Sequence, residues 1–294
     1  MTTGVTRTRP SGSPDPALNP ATNPALTPTG AHRLRWVFTD GATLTGRALA
    51  HWTRRPGEVL LGLLFPVMVV LMMGYLFGGQ MDVPGGGTYR EFIVPGMFAM
   101  TMLFGIETTF AAIAGDAAKG VTDRFRSMPM SSSAVVVGRG AADMLHSVAG
   151  LAVMVACGLL IGWRWHEGPG RALAALGLLL LWRFALLWVG VYLGLVAGGP
   201  EAIVAVQILV WPVGFLSSAL IAPATMPGWL GAIAEWNPMS ATVTACRELF
   251  GGPGAAAGGS WAAEHATTMA VVWPLLIAAV FLPLSVRRYR AMGR

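Results

Sequence analysis

Six stretches of this 294-residue chain run long enough with little or no charge to cross a membrane, and no other property of the sequence restricts its fold as strongly. A helix rising 1.5 Å per residue needs about 20 apolar residues to span a hydrocarbon core of about 30 Å. The stretches are 59–77 (19 residues, uncharged), 92–114 (23, interrupted only by Glu107), 144–163 (20, with His146 near one end) and 172–199 (28, interrupted by Arg183). Two more, 202–222 and 266–286, have 21 residues each and no charge. None alternates with the period of two that a membrane barrel requires, so all six are expected as helices. The fourth must absorb Arg183, at about 2.5–3.5 kcal/mol for mid-membrane insertion. Its ten Leu residues, with Phe184, Val189, Val191 and Val196, each return about 0.3–0.6 kcal/mol, so insertion wins.

The expected fold class is therefore an all-α integral membrane protein, with a six-helix domain over 57–290. Only 12% of the residues are charged against 54% hydrophobic, about half the charged share of soluble domains, which excludes most cytosolic enzymes. The net charge of +6 does not imply nucleic acid, because the basic residues sit between apolar blocks instead of covering one solvated face. They serve better as orientation signals. With the N-terminus inside, Arg47, Arg54, Arg55, Lys119, Arg124, Arg126, Arg139, Arg287, Arg288, Arg290 and Arg294 lie on the inner face, against Arg90, Arg164, Arg171 and Arg247 outside. This contrast predicts cytoplasmic N- and C-termini and a place in the cytoplasmic membrane.

Residues 1–32 hold six prolines among Ser, Thr, Asn and Gly, which predicts a disordered tail. Over 33–56, Val37, Leu44, Ala48 and Trp52 recur at helical spacing while Asp40, Thr43, Arg47 and Arg54 fall elsewhere. This pattern predicts an amphipathic interfacial helix with Arg47, Trp52, Arg54 and Arg55 near its end, stopped by Pro56-Gly57. A short juxtamembrane helix touching only lipid is the plainer alternative. Two connections are too long to be turns: a cytoplasmic one, 115–143, and an external one, 223–265. The start of the latter, 223–234, is uncharged, which fits either a re-entrant element before the last span or a surface loop.

Groups for bond chemistry are missing. The five histidines are isolated, the sequence around Asp116 reads Ile-Ala-Gly-Asp, and there is neither a G-x-S-x-G elbow nor an H-E-x-x-H pair. The phosphate-binding loop G-x-x-x-x-G-K-[ST] is excluded because the sole lysine, Lys119, lies between Ala118 and Gly120. No metal site is expected, and the two cysteines, Cys157 and Cys246, make no disulfide framework.

The most informative stretch is 115–131. Asp116, Lys119 and Asp123 stand three and four residues apart and pair on one helix face. Phe125 and Met128 add an apolar face beside Arg124 and Arg126, and Pro129 ends the helix. An aromatic and a methionine beside arginines suit a docking surface; a helix packed on its own neighbours, with Phe125 toward lipid, fits the spacing equally.

The run Lys119-Gly120-Val121-Thr122-Asp123-Arg124-Phe125-Arg126-Ser127-Met128-Pro129-Met130 resembles the loop after the second span in permease subunits of type-2 ABC exporters, in the daunorubicin/doxorubicin resistance branch. Three further stretches fit in order. These are Arg54-Arg55-Pro56 leading to Phe65-Pro66 and 74–79, Tyr89 to Met97, and Asn237-Pro238-Met239-Ser240 followed by Arg247. The resemblance covers about 33–290. It implies a homodimeric permease that binds two copies of a separate ATPase and exports an amphipathic small molecule through the bilayer. ATP and Mg would then bind the partner and no cofactor this chain. It also implies that the interfacial helix and 116–130 meet the ATPase, and that 223–234 is re-entrant.

An ionisable residue within a span is a functional candidate by default. Glu107 and Arg183, with Met97 and Met100 from the Met-rich first two spans, are therefore candidates for the substrate path. Structural pairing or snorkelling is the alternative for the charges, and core or lipid-facing packing for the methionines. A membrane enzyme acting on a lipid-linked substrate would need a cluster of polar residues at one depth, which the sequence lacks. A non-transporting membrane anchor would satisfy the docking surface alone.

Overall fold

A computed structural model describes residues 56–77, 86–118, 132–196, 200–253 and 260–291. Every regular element among them is helical. In chain order these are α1 (Pro56–Met72, continued by a π-turn Met73–Phe77), α2 (Tyr89–Ala118), α3 (Ser132–Leu160) and α4 (Gly168–Val196). After them come α5 (Pro200–Phe215), a 3-10 turn (Pro223–Thr225), α6 (Gly228–Trp236), α7 (Pro238–Phe250), α8 (Trp261–Glu264) and α9 (Ala266–Ala291). Four stretches are long and apolar enough to cross a membrane: Tyr89–Gly115, Gly140–Leu160, Gly168–Val196 and Ala266–Tyr289. Two shorter apolar stretches, Leu64–Leu76 and Glu201–Phe215, accompany them. The chain is a multi-pass membrane protein. The tail 1–32, the interfacial helix 33–56 apart from its last residue, and Lys119 to Ser131 lie outside the described residues.

α4 is the central helix, packed along both α2 and α9. Lipid tails are as apolar as leucine, so helices in a bilayer gain by close backbone approach, which small residues permit. α4 carries such a pair in Gly190 and Gly194. A methyl built on Gly190 would lie 3.0 Å from Thr109 Cβ, and one on Gly194 would lie 2.7 Å from Ile113 Cβ, both on α2. The main core joins Phe92, Ile93, Met97, Phe98 and Leu103 of α2 to Met154 of α3, Leu179 of α4 and Val243 of α7. Leu64, Met68, Ile208, Leu209, Leu275 and Leu276 stay exposed, as apolar side chains facing lipid would.

Prolines interrupt four of the helices: Pro66 in α1, Pro95 in α2, Pro212 in α5, and Pro274 and Pro283 in α9. Each removes a backbone donor and crowds the preceding turn. α3 has none, and α4 has one only at its first turn, Pro169.

Two expected boundaries need correction. The third apolar run begins at 144, but α3 starts at Ser132, because Ala, Val and Arg139 with no proline among them carry the helix through Gly138 and Gly140 past the edge of the apolar block. Asp143 therefore lies inside the helix and not in a loop. The fifth run was expected to be helical to 222, but α5 stops at Phe215. Its 16 residues rise only about 24 Å at 1.5 Å each. Beyond it, Leu216 to Ala222 unwinds, because side chains from α7 and the α6–α7 junction supply the partners its carbonyls need.

Candidate functional site

Two polar clusters lie inside the bundle, each built around a buried arginine, where the sequence was expected to hold no polar cluster at one depth. The first joins three long helices. Arg183 on α4 is 1% exposed; its Nη2 donates to Asp143 Oδ2 on α3 at 2.7 Å and to Thr109 Oγ1 on α2 at 2.7 Å. Its Nε donates to Ser147 Oγ on α3 at 2.8 Å. Thr109 Oγ1 also hydrogen-bonds Asp143 Oδ2, and Ser147 sits one turn from Asp143 and donates to its backbone oxygen at 2.9 Å. Gly105 makes room, since a methyl there would fall 2.5 Å from Arg183 Nε. Residues 105 and 109 share one face of α2 and residues 143 and 147 one face of α3, each pair four apart. A charge in low dielectric is tolerated only when paired and hydrogen-bonded, and this arginine has an ion pair and two hydroxyl partners.

The second cluster closes the end of the bundle where α2 begins and α5 stops. Arg247 on α7 is 1% exposed. Its Nε donates to Phe92 O at 3.0 Å, and its Nη2 donates to Ser218 O at 2.8 Å and Ala219 O at 3.2 Å. The guanidinium carbon lies 3.6 Å from the centre of the Phe92 ring, a cation–π contact on its desolvated side. Asn237, which caps α7 by accepting from Met239 N at 2.9 Å, donates from Nδ2 to Val213 O and Leu216 O. Ser240 Oγ accepts from Ser218 N at 2.9 Å. The orphan carbonyls at the end of α5 thus find donors more than 20 residues ahead. Gly96 permits the contact, because a methyl there would lie 2.2 Å from Ala219 O.

A third arginine works alike at the rim. Arg90 donates to Gly74 O in the π-turn at 2.9 Å and to Ile161 O after α3 at 3.0 Å, tying three helix ends together. Arg90 and Arg247 were counted among the basic residues of the outer face. In the fold both donate to carbonyls, and Arg247 has left the surface altogether.

The expected substrate-path residues do not converge. Met97 and Met100 are 1% and 3% exposed in the packed core, and Gly214 on α5 leaves room for the Met100 sulfur. Glu107 is half-buried, lies two residues from both Gly105 and Thr109, and points away from the face that meets Arg183. Its Oε1 finds no donor among the described residues. Asp116 lies in the last turn of α2; Lys119, Asp123, Arg124, Phe125, Arg126, Met128 and Pro129 fall outside the described residues, as do Arg47, Trp52, Arg54 and Arg55. Sequence reasoning missed Asp143, Thr109 and Ser147. The available signal was an acid one residue outside an apolar block, with an unpaired arginine within the next.

Residues 40–250 match the ABC-2 type transporter family. The chain is 35% identical over 252 residues to the "Daunorubicin resistance ABC transporter permease protein DrrB1" of Streptomyces coeruleorubidus, covering 85% of this chain and 86% of the relative. It is 21% identical over 212 residues to the "Probable doxorubicin resistance ABC transporter permease protein DrrC" of Mycobacterium tuberculosis, covering 71% of this chain and 76% of that relative. With a helical membrane bundle and a family match across most of its length, the chain belongs to the ABC-2 type transporter family.

Proposed function

We propose that this chain is the transmembrane permease subunit of an ATP-driven exporter that moves an amphipathic compound out of the cell. The observation that carries the proposal is the 35% identity, over 85% of the chain, to a relative named as a daunorubicin resistance ABC permease. ATP is hydrolysed by a separate subunit, consistent with a sole lysine that stands outside any phosphate-binding loop. Two copies of that ATPase meet a permease homodimer at 116–130 and at the interfacial helix 33–56. ATP closes the ATPase pair, the docking segments move, and the permease shifts between states that bind substrate differently. The chain crosses the cytoplasmic membrane six times with both termini inside; α1 and α5 are its two short crossings, and 223–234 re-enters the outer leaflet. Exposed Trp229, Trp236 and Trp261 suit that membrane boundary.

The test co-expresses the chain with an ABC ATPase subunit from the same organism in a host lacking its own efflux pumps. Co-purification and daunorubicin efflux are expected for the wild type. The Lys119→Glu, Arg124→Glu, Arg126→Glu variant should lose at least tenfold of the bound ATPase at equal expression. Full retention by the variant removes 116–130 as the docking surface.

A further inference from the structure

We propose that the Arg183 cluster is the joint through which the segment 116–130 moves the transmembrane bundle, which makes Arg183, Asp143 and Thr109 positioning residues for transport. The proposal rests on the docking reading above. The segment hangs between two helical arms: Thr109 lies nine residues before the end of α2, and Asp143 eleven residues after the start of α3. Those arms are about 14 and 17 Å long at 1.5 Å per residue. Both are fixed to the same stretch of α4. Thr109 and Asp143 each accept from Arg183 Nη2 and bond one another. Below them Thr109 and Ile113 fit against Gly190 and Gly194, and Gly140 of α3 fits against Leu187. α4 continues the path, since Ser285 Oγ of α9 donates to Trp188 O at 3.3 Å.

The chemistry of the contact suits a joint. An apolar seam lets helices slide at small cost, whereas charge-assisted hydrogen bonds in a low-dielectric interior are short and directional and resist displacement of one partner alone. A push on the docking segment therefore arrives at α4 with α2 and α3 moving as one body. Stability alone does not account for the charges, because a well-packed apolar replacement of a buried ion pair is commonly neutral or stabilising.

The experiment uses Thr109→Val, which deletes one hydroxyl, the double variant Arg183→Leu/Asp143→Leu, and Arg183→Lys, each assembled with the ATPase in lipid vesicles. The readout is daunorubicin moved per ATP hydrolysed, alongside bound ATPase per permease. Thr109→Val and the double variant should keep bound ATPase within twofold of wild type and lower the transport ratio at least fivefold, with Arg183→Lys in between. A wild-type ratio in Thr109→Val and the double variant overturns the proposal. A purely structural role would lower the yield of folded protein and leave the ratio per assembled complex unchanged.

A second measurement needs no ATPase. Spin labels at Ala117→Cys and Ala134→Cys, with Cys157 and Cys246 replaced by serine, report the separation of the two arms in nanodiscs. One narrow distance is expected for the wild type and a broadened distribution for Thr109→Val and the double variant; equal widths overturn the proposal. If the double variant does not fold, Thr109→Val carries both measurements. If the wild type captures no ATPase, the docking reading falls, and the label widths still decide whether the cluster fixes the arms.

Discussion

A guanidinium carries five N–H donors in a rigid plane, while a broken helix end leaves carbonyls that no longer have a helical partner. That match explains why Arg247 and Arg90 are arginines. Arg247 reaches carbonyls on two separate segments, Phe92 on one side and Ser218 and Ala219 on the other, and lays its plane on the Phe92 ring. Lysine is a compact point charge that cannot fork between them. Arg247→Lys is expected to lose at least one hydrogen bond to a charged group, about 1.5–3 kcal/mol, seen as a lower thermal transition of the purified permease in detergent. An unchanged transition would mean that one of the two segments needs no donor from α7. At this scale the sequence was only half readable. Arg183 announces a buried charge by its position in an apolar run, but its partner Asp143 stands outside the next run and gives no local sign that it faces inward.

Helical elements were readable where apolar length alone decides them, and 92–114, 172–199 and 266–286 each lie within or nearly within one continuous helix. Hydropathy fails at α5. Leu216 to Ala222 is as apolar as what precedes it, but the hydrogen-bond partners that let it unwind sit on Asn237 and Arg247, which donate to its carbonyls, and on Ser240, which accepts from Ser218 N. No window of about 20 residues contains both halves of that arrangement. Asn237→Ala removes the α7 cap and both donors to the end of α5, and replacing such a cap by alanine costs about 1 kcal/mol. The expected result is faster hydrogen exchange at the amides of Met239 and the first turn of α7 in nanodiscs, with exchange in α3 unchanged. Uniform acceleration across the protein would contradict a local role.

For the whole molecule, the basic residues do two jobs that composition merges. Those near the ends of spans have the uneven distribution that orients a chain during insertion, whereas Arg90, Arg183 and Arg247 end as internal donors. Orientation gives a direct prediction: with Cys157 and Cys246 replaced, Ala256→Cys should react with an impermeant maleimide in intact cells, and Met292→Cys only after the membrane is opened. The reverse pattern would invert the topology. The amphipathic helix, the docking segment and the re-entrant 223–234 remain readings from residue spacing, charge and family resemblance, because a single sequence shows which residues could meet a partner but contains no partner to meet.

The distribution of proline gives the bundle a mechanical gradient. Pro95, Pro212 and Pro274 lie toward the end closed by Arg247, Pro66 lies midway along α1 and Pro283 toward the other end, while α3 and the interior of α4 have none. Three of the five prolines that interrupt these helices therefore lie far from the arms that flank 116–130, and the two helices that carry the ion pair are uninterrupted where it sits. The helix pair joined by the ion pair is thus the part of the bundle built to carry a load without a bend, as struts do between jointed members.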